Sequence, residues 1–246
     1  HLCHRADLIA GLERAMRASG TPVQLLQKVE SISLLPGGAR VTTAMGAVHE
    51  TGLLLGADGL HSVLRATLNG AGSPFFTGQV AWRAVIPGDG GAAVAQVFMG
   101  PGQHLVSYPL RGGTLRNIVA VQERRVWAAE GWNHRDDPEA LRAAFAGFGG
   151  PVPGWLQAVR EVYLWGLFRH PVAERWHDGA GRAALLGDAA HPTLPFMAQG
   201  ANMALEDAWT LARILAARPH DPAGALARYG NARAPRVRKV VALANA

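Results

Sequence analysis

The chain has 246 residues, 49% hydrophobic and 17% charged, a balance typical of a globular protein and unlike that of a disordered segment. The sequence shows no apolar run of the roughly 18–20 residues that a membrane span needs, and no signal-peptide pattern opens it. A single cysteine, Cys3, excludes an internal disulfide and predicts a reducing, cytoplasmic environment. The net charge of +6 comes mostly from scattered arginines. We interpret the dense cluster NARAPRVRKVV, at 231–241, as a solvated helix face, so no nucleic-acid partner is expected.

The first part of the chain is predicted to alternate helices with short strands. A 3.6-residue apolar period indicates the first helix, and the continuous apolar run GLLLGA is typical of a strand buried on both faces. In chain order we predict a helix over 5–19, strands within 23–35, 39–45 and 47–59, and a helix over 61–69.

A linker rich in Gly, Ser and Pro, at 69–78, precedes a β-rich region. Glycine-rich turns separate its four strand-like runs, which predicts an antiparallel meander at 79–88, 92–100, 104–113 and 114–123. Two helices, at 138–148 and 153–159, and a strand at 163–170 follow. A last strand at 181–188 leads into a helix over 199–217, whose inward face is predicted to carry Ala201, Ala204, Leu205, Ala208, Leu211, Ala212 and Leu215. The order α/β, β-rich insert, α/β suggests a cofactor domain with an inserted substrate domain.

Two strand-to-loop junctions share the same residue types. GLLLGADGLHSVLR ends a strand on Asp58 and Gly59, and AALLGDAAHP ends another on Gly187 and Asp188. In open α/β sheets, ligands bind where loops diverge at the carboxyl ends of strands, and a carboxylate there accepts hydrogen bonds from ligand hydroxyls. The alternative for each junction is an aspartate that caps a helix or a turn.

The residues around these junctions resemble the two internal fingerprints of FAD-dependent aromatic hydroxylases, the single-component flavoprotein monooxygenases. HRADLIAGL is similar to that family's flavin-contacting R-x-x-L helix. AWRAVIP and HLVSYPLRGG look like its substrate-domain strands, closest to the salicylate and 6-hydroxynicotinate hydroxylase branch. The second fingerprint, G-D-A-A-H-x-x-x-P…G-x-N/G, is matched by Gly187, Asp188, Ala189, Ala190, His191, Pro195, Gly200 and Asn202.

The resemblance implies a two-domain α/β (α+β) fold, in which a partial Rossmann-like FAD domain holds an inserted antiparallel β-sheet substrate domain. We expect the middle of the FAD domain at 1–76, the substrate domain at 77–170 and the C-terminal part of the FAD domain at 171–246. The family's opening G-x-G-x-x-G does not occur in this sequence. The chain is therefore expected to be part of something longer, or a truncated, non-enzymatic remnant or interaction module.

The second fingerprint implies how the flavin would be bound. Asp188 would accept a hydrogen bond from a ribityl hydroxyl of FAD. The backbone N–H groups of Gly200, Ala201 and Asn202 would lie at the pyrimidine edge of the flavin, with Pro195 in the loop before them. A helix N-terminus carries about half a positive charge, which favours the anionic reduced flavin.

The other cofactor-binding residues come from the first fingerprint and the N-terminal helix. By resemblance, Asp58 and Gly59 would lie near the flavin chain and the NAD(P)H approach path, with Arg65 supporting Asp58. Arg5 would contact the ribityl or pyrophosphate region.

Candidate catalytic residues lie in the β-rich region and in the second fingerprint. His104 and Tyr108 share one face of a strand. His104 has the pKa of a proton acceptor that could help deprotonate a ring hydroxyl, and Tyr108 is the better positioner. The alternative is a pair of surface polar residues. His191 is a further catalytic candidate, or a residue that caps its loop.

Three residues are candidates for the substrate pocket. Arg83 would meet a substrate carboxylate or form a structural salt bridge. Phe196 and Met197 would form a wall of the pocket or belong to the core. The histidines show no metal-ligand spacing, so no metal site is expected.

The activity implied by the resemblance is hydroxylation of a small aromatic substrate by an FAD- and NAD(P)H-dependent monooxygenase, through a flavin C4a-hydroperoxide. The expected cofactor is FAD, with NADH or NADPH as co-substrate. The expected partners are the aromatic substrate and O₂, with no membrane span, and a homodimer is a further expectation.

Overall fold

A computed structural model of the chain describes residues 2–124, 126, 130 and 134–245. The chain forms two compact units. The first comprises His1–Val23 and Phe76–Phe168, and the second comprises Gln24–Phe75 and Arg169–Ala246. Helices combined with several sheets in two units confirm the predicted mixed, two-domain fold class. The assignment of a cofactor domain and a substrate domain stays a prediction.

The helices and strands lie close to the predicted positions. In chain order they are α1 (Arg5–Ala18), β1 (Val29–Leu35), β2 (Gly38–Thr43), β3 (Val48–Thr51), β4 (Leu54–Gly56), α2 (Val63–Asn69), β5 (Phe75–Pro87), β6 (Gln96–Gly100), β7 (Gln103–Leu110), β8 (Leu115–Glu123), β9 (Arg135–Asp136), α3 (Pro138–Ala144), α4 (Val152–Gln157), β10 (Val162–Arg169), β11 (Ala183–Leu185), α5 (Gly200–Ala217) and α6 (Pro222–Ala244). The helices α3 and α4 are shorter than predicted.

The first unit is built on a six-stranded sheet in the order β6-β7-β8-β5-β10-β9. Strands β6, β7 and β8 form the predicted antiparallel meander. The prediction is wrong for β5, which pairs with β8 and not with β6. The glycine-rich segment 88–95 carries the chain from β5 to the far edge of the sheet, so sequence neighbours are not sheet neighbours here.

One face of this sheet packs against α3 and α4. Because side chains alternate along a strand, every second residue of β5 enters this core, including the fully buried Trp82. The Trp82 indole N–H donates to the Asp136 carboxylate at 2.7 Å. The neighbouring Arg83 therefore belongs to the opposite face of the sheet, which is where the polar candidates of this unit lie.

Helix α1 forms as predicted and belongs to the first unit. Asp7 in its first turn accepts two hydrogen bonds from the Arg111 guanidinium, at 2.7 and 2.8 Å. Its apolar stripe is exposed: Ile9 and Leu12 are each 51% exposed and Met16 is 38% exposed.

The second unit contains an antiparallel sheet, β1-β2-β3, and a parallel pair, β4 and β11. The run predicted as one strand over 47–59 divides, because β3 pairs with β2 while β4 pairs with β11. The prediction that GLLLGA is buried on both faces is wrong, since Leu55 is 42% exposed in a sheet of two strands.

Helices α5 and α6 pack together in the second unit, with a different buried face than predicted. The buried residues of α5 are Met203, Asp207 and Leu211. Four of the seven residues expected to face inward are exposed: Ala201, Leu205, Ala208 and Ala212. Alanine suits either side of a helix, so the apolar pattern did not identify the buried face. The interpretation of 231–241 as a solvated face is also wrong at Arg233, which is buried opposite Asp207.

Two features are absent from the residues that the structure describes. No helix there is both long enough and apolar enough to cross a membrane. No group of three or more His, Cys, Asp or Glu side chains in those ranges is arranged to hold a metal ion.

Candidate functional site

The parallel pairing of β4 with β11 brings two acidic residues to one edge of the second unit. Leu185 pairs with Gly56, and the Leu186 N–H donates to the Gly56 carbonyl at 2.9 Å. Asp58 and Asp188 follow closely after these strand ends. We refer to Asp58, Asp188 and the N-terminus of α5 as the strand-end cluster.

The Asp58 carboxylate is occupied by the start of α2. One oxygen accepts a hydrogen bond from the Ser62 hydroxyl at 2.5 Å. The other accepts from the backbone N–H groups of Val63 at 2.8 Å and Leu64 at 3.3 Å. First-turn N–H groups have no acceptor within their own helix, so Asp58 stabilises the helix start. Gly59, beside it, adopts the positive φ of +75° that the turn requires.

Arg65 supports Asp58 through the main chain. Its backbone N–H donates to the Ser62 hydroxyl oxygen at 2.9 Å, and Ser62 in turn donates to Asp58. The Arg65 guanidinium donates to the Pro171 carbonyl oxygen, and partial burial lowers its pKa. The predicted support is therefore indirect, because the charged group of Arg65 has another partner.

Asp188 presents its carboxylate differently. It is the exposed residue of an otherwise buried segment, 183–192. Gly187 before it has a φ of +55°, and a Cβ at that position would lie 3.1 Å from the Ala204 Cβ of α5. A turn packed tightly against α5 thus displays a carboxylate that can accept hydrogen bonds from a ligand.

His191 ends this turn and is fully buried. Its imidazole stacks on Trp176 with 5.3 Å between ring centroids, and its Nε2 lies 2.5 Å from a carboxylate oxygen of Asp207. The other Asp207 oxygen accepts from Arg233 Nε at 2.7 Å. Burial raises the pKa of the Asp207 carboxyl, but hydrogen bonds from His191 and Arg233 outweigh it and leave the pKa below its ordinary value. His191 thus anchors its loop through a carboxylate, and these contacts give no support to the predicted catalytic role.

The N-terminus of α5 completes the strand-end cluster. Pro195 begins a short 3₁₀ turn, after which α5 starts at Gly200. Within the described residues, no side chain caps this end of α5 and its first turn holds no acidic residue. The first-turn N–H groups, including those of Ala201 and Asn202, therefore favour a ligand that carries negative charge.

Phe196 and Met197, in the loop before α5, are 40% and 41% exposed. The alternative that they belong to the core is therefore wrong. Both side chains are partly exposed in the loop that precedes α5.

A second group of candidates lies in the first unit, on the face of the sheet opposite the core. Across the sheet, Arg83 of β5 pairs with Val119 of β8, and Val119 pairs with Val106 of β7. His104 and Tyr108 flank Val106 on the same strand and face, about 13 Å apart at the backbone. We refer to Arg83, His104 and Tyr108 as the sheet-face cluster.

The three residues of the sheet-face cluster differ in how their surroundings shift their pKa values. Burial lowers the pKa of His104, so its imidazole is neutral near pH 7 and can accept a proton. Burial raises the pKa of Tyr108, an effect that the Arg83 charge opposes, so Tyr108 stays a phenol that can donate. Arg83 stays charged although burial and then the charge of Arg5 lower its pKa, and its guanidinium lies 5.6 Å from the Trp165 ring centroid.

Arg5 is exposed at the start of α1 and belongs to the same unit as the sheet-face cluster. After burial, its positive charge contributes to the lowered pKa of Arg83. Two arginines near one another form an environment that favours an anion.

Sequence reasoning missed Asp207 and Arg233. A signal existed, because a spacing of four places Asp207 between Met203 and Leu211 on one helix face. An acid on an apolar face indicates a buried partner, and the arginine-rich helix that follows could have supplied it.

Comparison with known proteins identifies the class. A family model described as FAD binding domain matches residues 6–244. The chain belongs to this FAD-binding family, and its relatives confirm the suggested resemblance to FAD-dependent aromatic hydroxylases.

Individual relatives are named for hydroxylation of small aromatic acids. The chain is 40% identical over 210 residues to the 3-amino-4-hydroxybenzoate 2-monooxygenase PtnB3 of Streptomyces platensis, covering 83% of this chain and 52% of that protein. It is 34% identical over 248 residues to the 6-hydroxynicotinate 3-monooxygenase of Bordetella bronchiseptica, covering 96% and 63%. The chain thus spans between half and two thirds of the length of these relatives.

Solved structures agree on the fold. HpxO of Klebsiella pneumoniae, complexed with FAD and uric acid, superposes with a TM-score of 0.82 at 28% identity, covering 96% of this chain and 61% of that one. A salicylate hydroxylase substrate complex superposes with a TM-score of 0.82 at 28% identity, covering 98% and 64%.

Proposed function

We propose that the chain carries the flavin site and the substrate-binding sheet of an FAD-dependent monooxygenase, which uses NADH or NADPH and O₂ to hydroxylate a small aromatic carboxylate. The observation that carries this proposal is the exposed carboxylate of Asp188 in an otherwise buried segment, on the same unit as the open N-terminus of α5. A carboxylate acceptor and a set of backbone donors match the two ends of a flavin, which offers ribityl hydroxyls and a pyrimidine edge.

The residues present therefore fit FAD. Asp188 would accept a ribityl hydroxyl, and the N–H groups of Gly200, Ala201 and Asn202 would stabilise negative charge at the ring edge. When bound, FAD would supply the redox chemistry, taking electrons from NADH or NADPH and activating O₂. Asp58 would contribute by fixing α2, since its own oxygens already accept hydrogen bonds.

The sheet-face cluster suits an aromatic acid. Arg83 offers a half-buried guanidinium next to an aromatic ring, an arrangement that binds a carboxylate. His104 would accept the proton of a ring hydroxyl, which makes the ring more electron-rich. Tyr108 would orient the same substrate by donating a hydrogen bond. The relatives named for hydroxybenzoate and hydroxynicotinate support this substrate class.

The test of this function is flavin binding and turnover by the purified complete protein. We expect flavin absorbance after addition of FAD, and NADH or NADPH oxidation that 3-amino-4-hydroxybenzoate, salicylate or 6-hydroxynicotinate stimulates. A protein that binds no FAD would overturn the proposal and leave the remnant or interaction module as the alternative.

The role of Arg83 has a matched test. Arg83→Gln should raise KM for a benzoate substrate and change kcat less, because binding of the carboxylate is lost. The same variant should have little effect on a carboxamide analogue. Arg135→Gln, which changes an exposed arginine of the same sheet, is the control. Equal losses with both variants, or with both substrates, would exclude Arg83 as the carboxylate partner.

The cytoplasmic location and the homodimer remain predictions from the sequence. Sedimentation of the FAD-loaded protein tests the second of them.

A further inference from the structure

A buried ionic network lies directly behind the exposed Asp188. Asp207 is fully buried on α5, and both of its carboxylate oxygens are used. One accepts from Arg233 Nε at 2.7 Å, and the other lies 2.5 Å from His191 Nε2 and accepts the Gly187 N–H at 3.0 Å. All of these groups belong to the second unit.

The two groups bound by one Asp207 oxygen bracket the turn that displays Asp188. Gly187 precedes Asp188, and His191 follows it by three residues, with the His191 N–H donating back to the Gly187 carbonyl at 2.9 Å. A single carboxylate oxygen therefore fixes both ends of the turn. The close approach of Gly187 to Ala204 fixes the same turn against α5.

The same helix also begins at the candidate flavin site. Asp207 lies two turns into α5, whose first turn holds the N–H donors of Gly200, Ala201 and Asn202. By binding the Asp188 turn to α5, Asp207 sets the position of the exposed acid relative to those donors. From α6, Arg233 supplies the positive charge that a buried carboxylate needs and also donates to the Met203 carbonyl at 3.2 Å.

A network of this kind is not explained by stability alone. Desolvation of buried charges offsets most of their attraction, and well-packed apolar residues often serve a core equally well. Hydrogen bonds between charged groups do fix one geometry, which is what a ligand-binding turn requires.

We propose that Asp207 is a positioning residue of the flavin site: by binding Gly187 and His191 together, it holds the Asp188 carboxylate in register with the N-terminus of α5. This inference rests on the proposed function, because it assigns the geometry that Asp207 maintains to FAD.

The test is the FAD dissociation constant, measured by flavin fluorescence in the complete protein. Asp207→Asn keeps the shape of the side chain but loses the charge, and should weaken FAD binding about 10-fold or more. The matched control is Tyr229→Phe, which removes a buried hydrogen bond to the Leu185 carbonyl in the strand before the turn. The control should change the dissociation constant by less than about two-fold, because Tyr229 contacts neither end of the Asp188 turn through a hydrogen bond.

A double-mutant cycle separates positioning from a general loss of structure. If Asp207 acts through Asp188, Asp188→Asn and Asp207→Asn together should weaken FAD binding by less than the product of the single effects. The inference would be overturned if the double variant weakened FAD binding by the full product of the two single effects. It would also be overturned if Asp207→Asn bound FAD as tightly as Tyr229→Phe does.

A second variant covers the case in which Asp207→Asn does not fold. His191→Gln removes one of the groups that Asp207 binds and leaves Arg233 and Gly187 in place. This variant should weaken FAD binding several-fold. Combined with Asp188→Asn, it should weaken binding by less than the product of the two single effects. FAD binding equal to that of the wild type would overturn the inference.

If the wild-type protein itself binds no FAD, the proposed function fails and this inference fails with it. If the wild type binds and Asp188→Asn weakens binding while the Asp207 and His191 variants do not, only the inference fails.

Discussion

Asp58 and Asp188 follow neighbouring parallel strands, and each has a glycine beside it, yet the two carboxylates are used in opposite ways. Asp58 accepts three hydrogen bonds from the start of α2. Asp188 projects from a buried turn, and a different carboxylate, that of Asp207, binds the backbone behind it. At one strand end the acid supports the fold. At the other, a buried acid supports the fold, and the exposed acid is the one that we propose contacts the flavin.

The largest expected effect is at the buried acid. Asp207→Ala leaves Arg233 and His191 buried without their carboxylate, and should lower the free energy of unfolding by about 3–5 kcal/mol. Urea denaturation measures it. Tyr229→Phe, which removes a neutral hydrogen bond in the same core, should cost about 1 kcal/mol. Equal losses of unfolding free energy in the two variants would show that the charges around Asp207 do not stabilise the packing of α5 against α6 and the 187–191 turn.

The next effect is at the helix start. Asp58→Ala removes the acceptor of the first-turn N–H groups of α2, and should lower the free energy of unfolding by about 1–2 kcal/mol. The same urea titration measures this loss. Asp58→Asn, which keeps an acceptor oxygen, should recover part of it. An Asp58→Ala protein as stable as wild type would show that the carboxylate is free for another role.

Acid should lower the stability of the second unit by protonating Glu206, which pairs α5 with two arginines of α6. Hydrogen bonds from Arg236, at 2.9 Å, and from Arg233 lower the pKa of Glu206 to about 2. A lowered folded-state pKa contributes stability above the ordinary value near 4.5, and that contribution is lost as the pH falls toward 2. Glu206→Gln should therefore flatten the fall in stability between these pH values. A pH dependence of Glu206→Gln identical to that of the wild type would contradict the assignment.

The smallest expected effect on stability is at Asp188 itself. Because its carboxylate is exposed, Asp188→Asn should change the free energy of unfolding by less than about 0.5 kcal/mol. Thermal denaturation of the FAD-free protein checks this value. A large loss would mean that Asp188, like Asp58, is part of the fold.

The sequence predicted the positions of both acids but not the difference between them. Each acid is preceded by an apolar strand, and pattern reasoning found both. Nothing local shows that Ser62 and α2 bind the first acid, while Asp207, 19 positions after Asp188, binds the backbone around the second.

Two other errors have different origins, one in strand pairing and one in helical spacing. The alternation of side chains along β5 is the same whether β5 pairs with β6 or with β8. The observed pairing with β8 could therefore not be predicted from the pattern. Arg233 was interpreted as solvated because it belongs to the basic cluster at 231–241, with Arg236, Arg238 and Lys239. Its place on the buried face of α6, in line with Tyr229 and Val237, becomes clear only at helical spacing.

The most direct test compares FAD binding in Asp188→Asn and Asp58→Asn, each alongside its free energy of unfolding. We predict that Asp188→Asn weakens FAD binding about 10-fold or more at nearly unchanged stability, as expected for loss of a hydrogen bond to a charged group. Asp58→Asn should lower stability and change FAD binding less. Unchanged FAD binding in Asp188→Asn, in a wild-type protein that does bind FAD, would contradict the assignment of the exposed acid to the flavin.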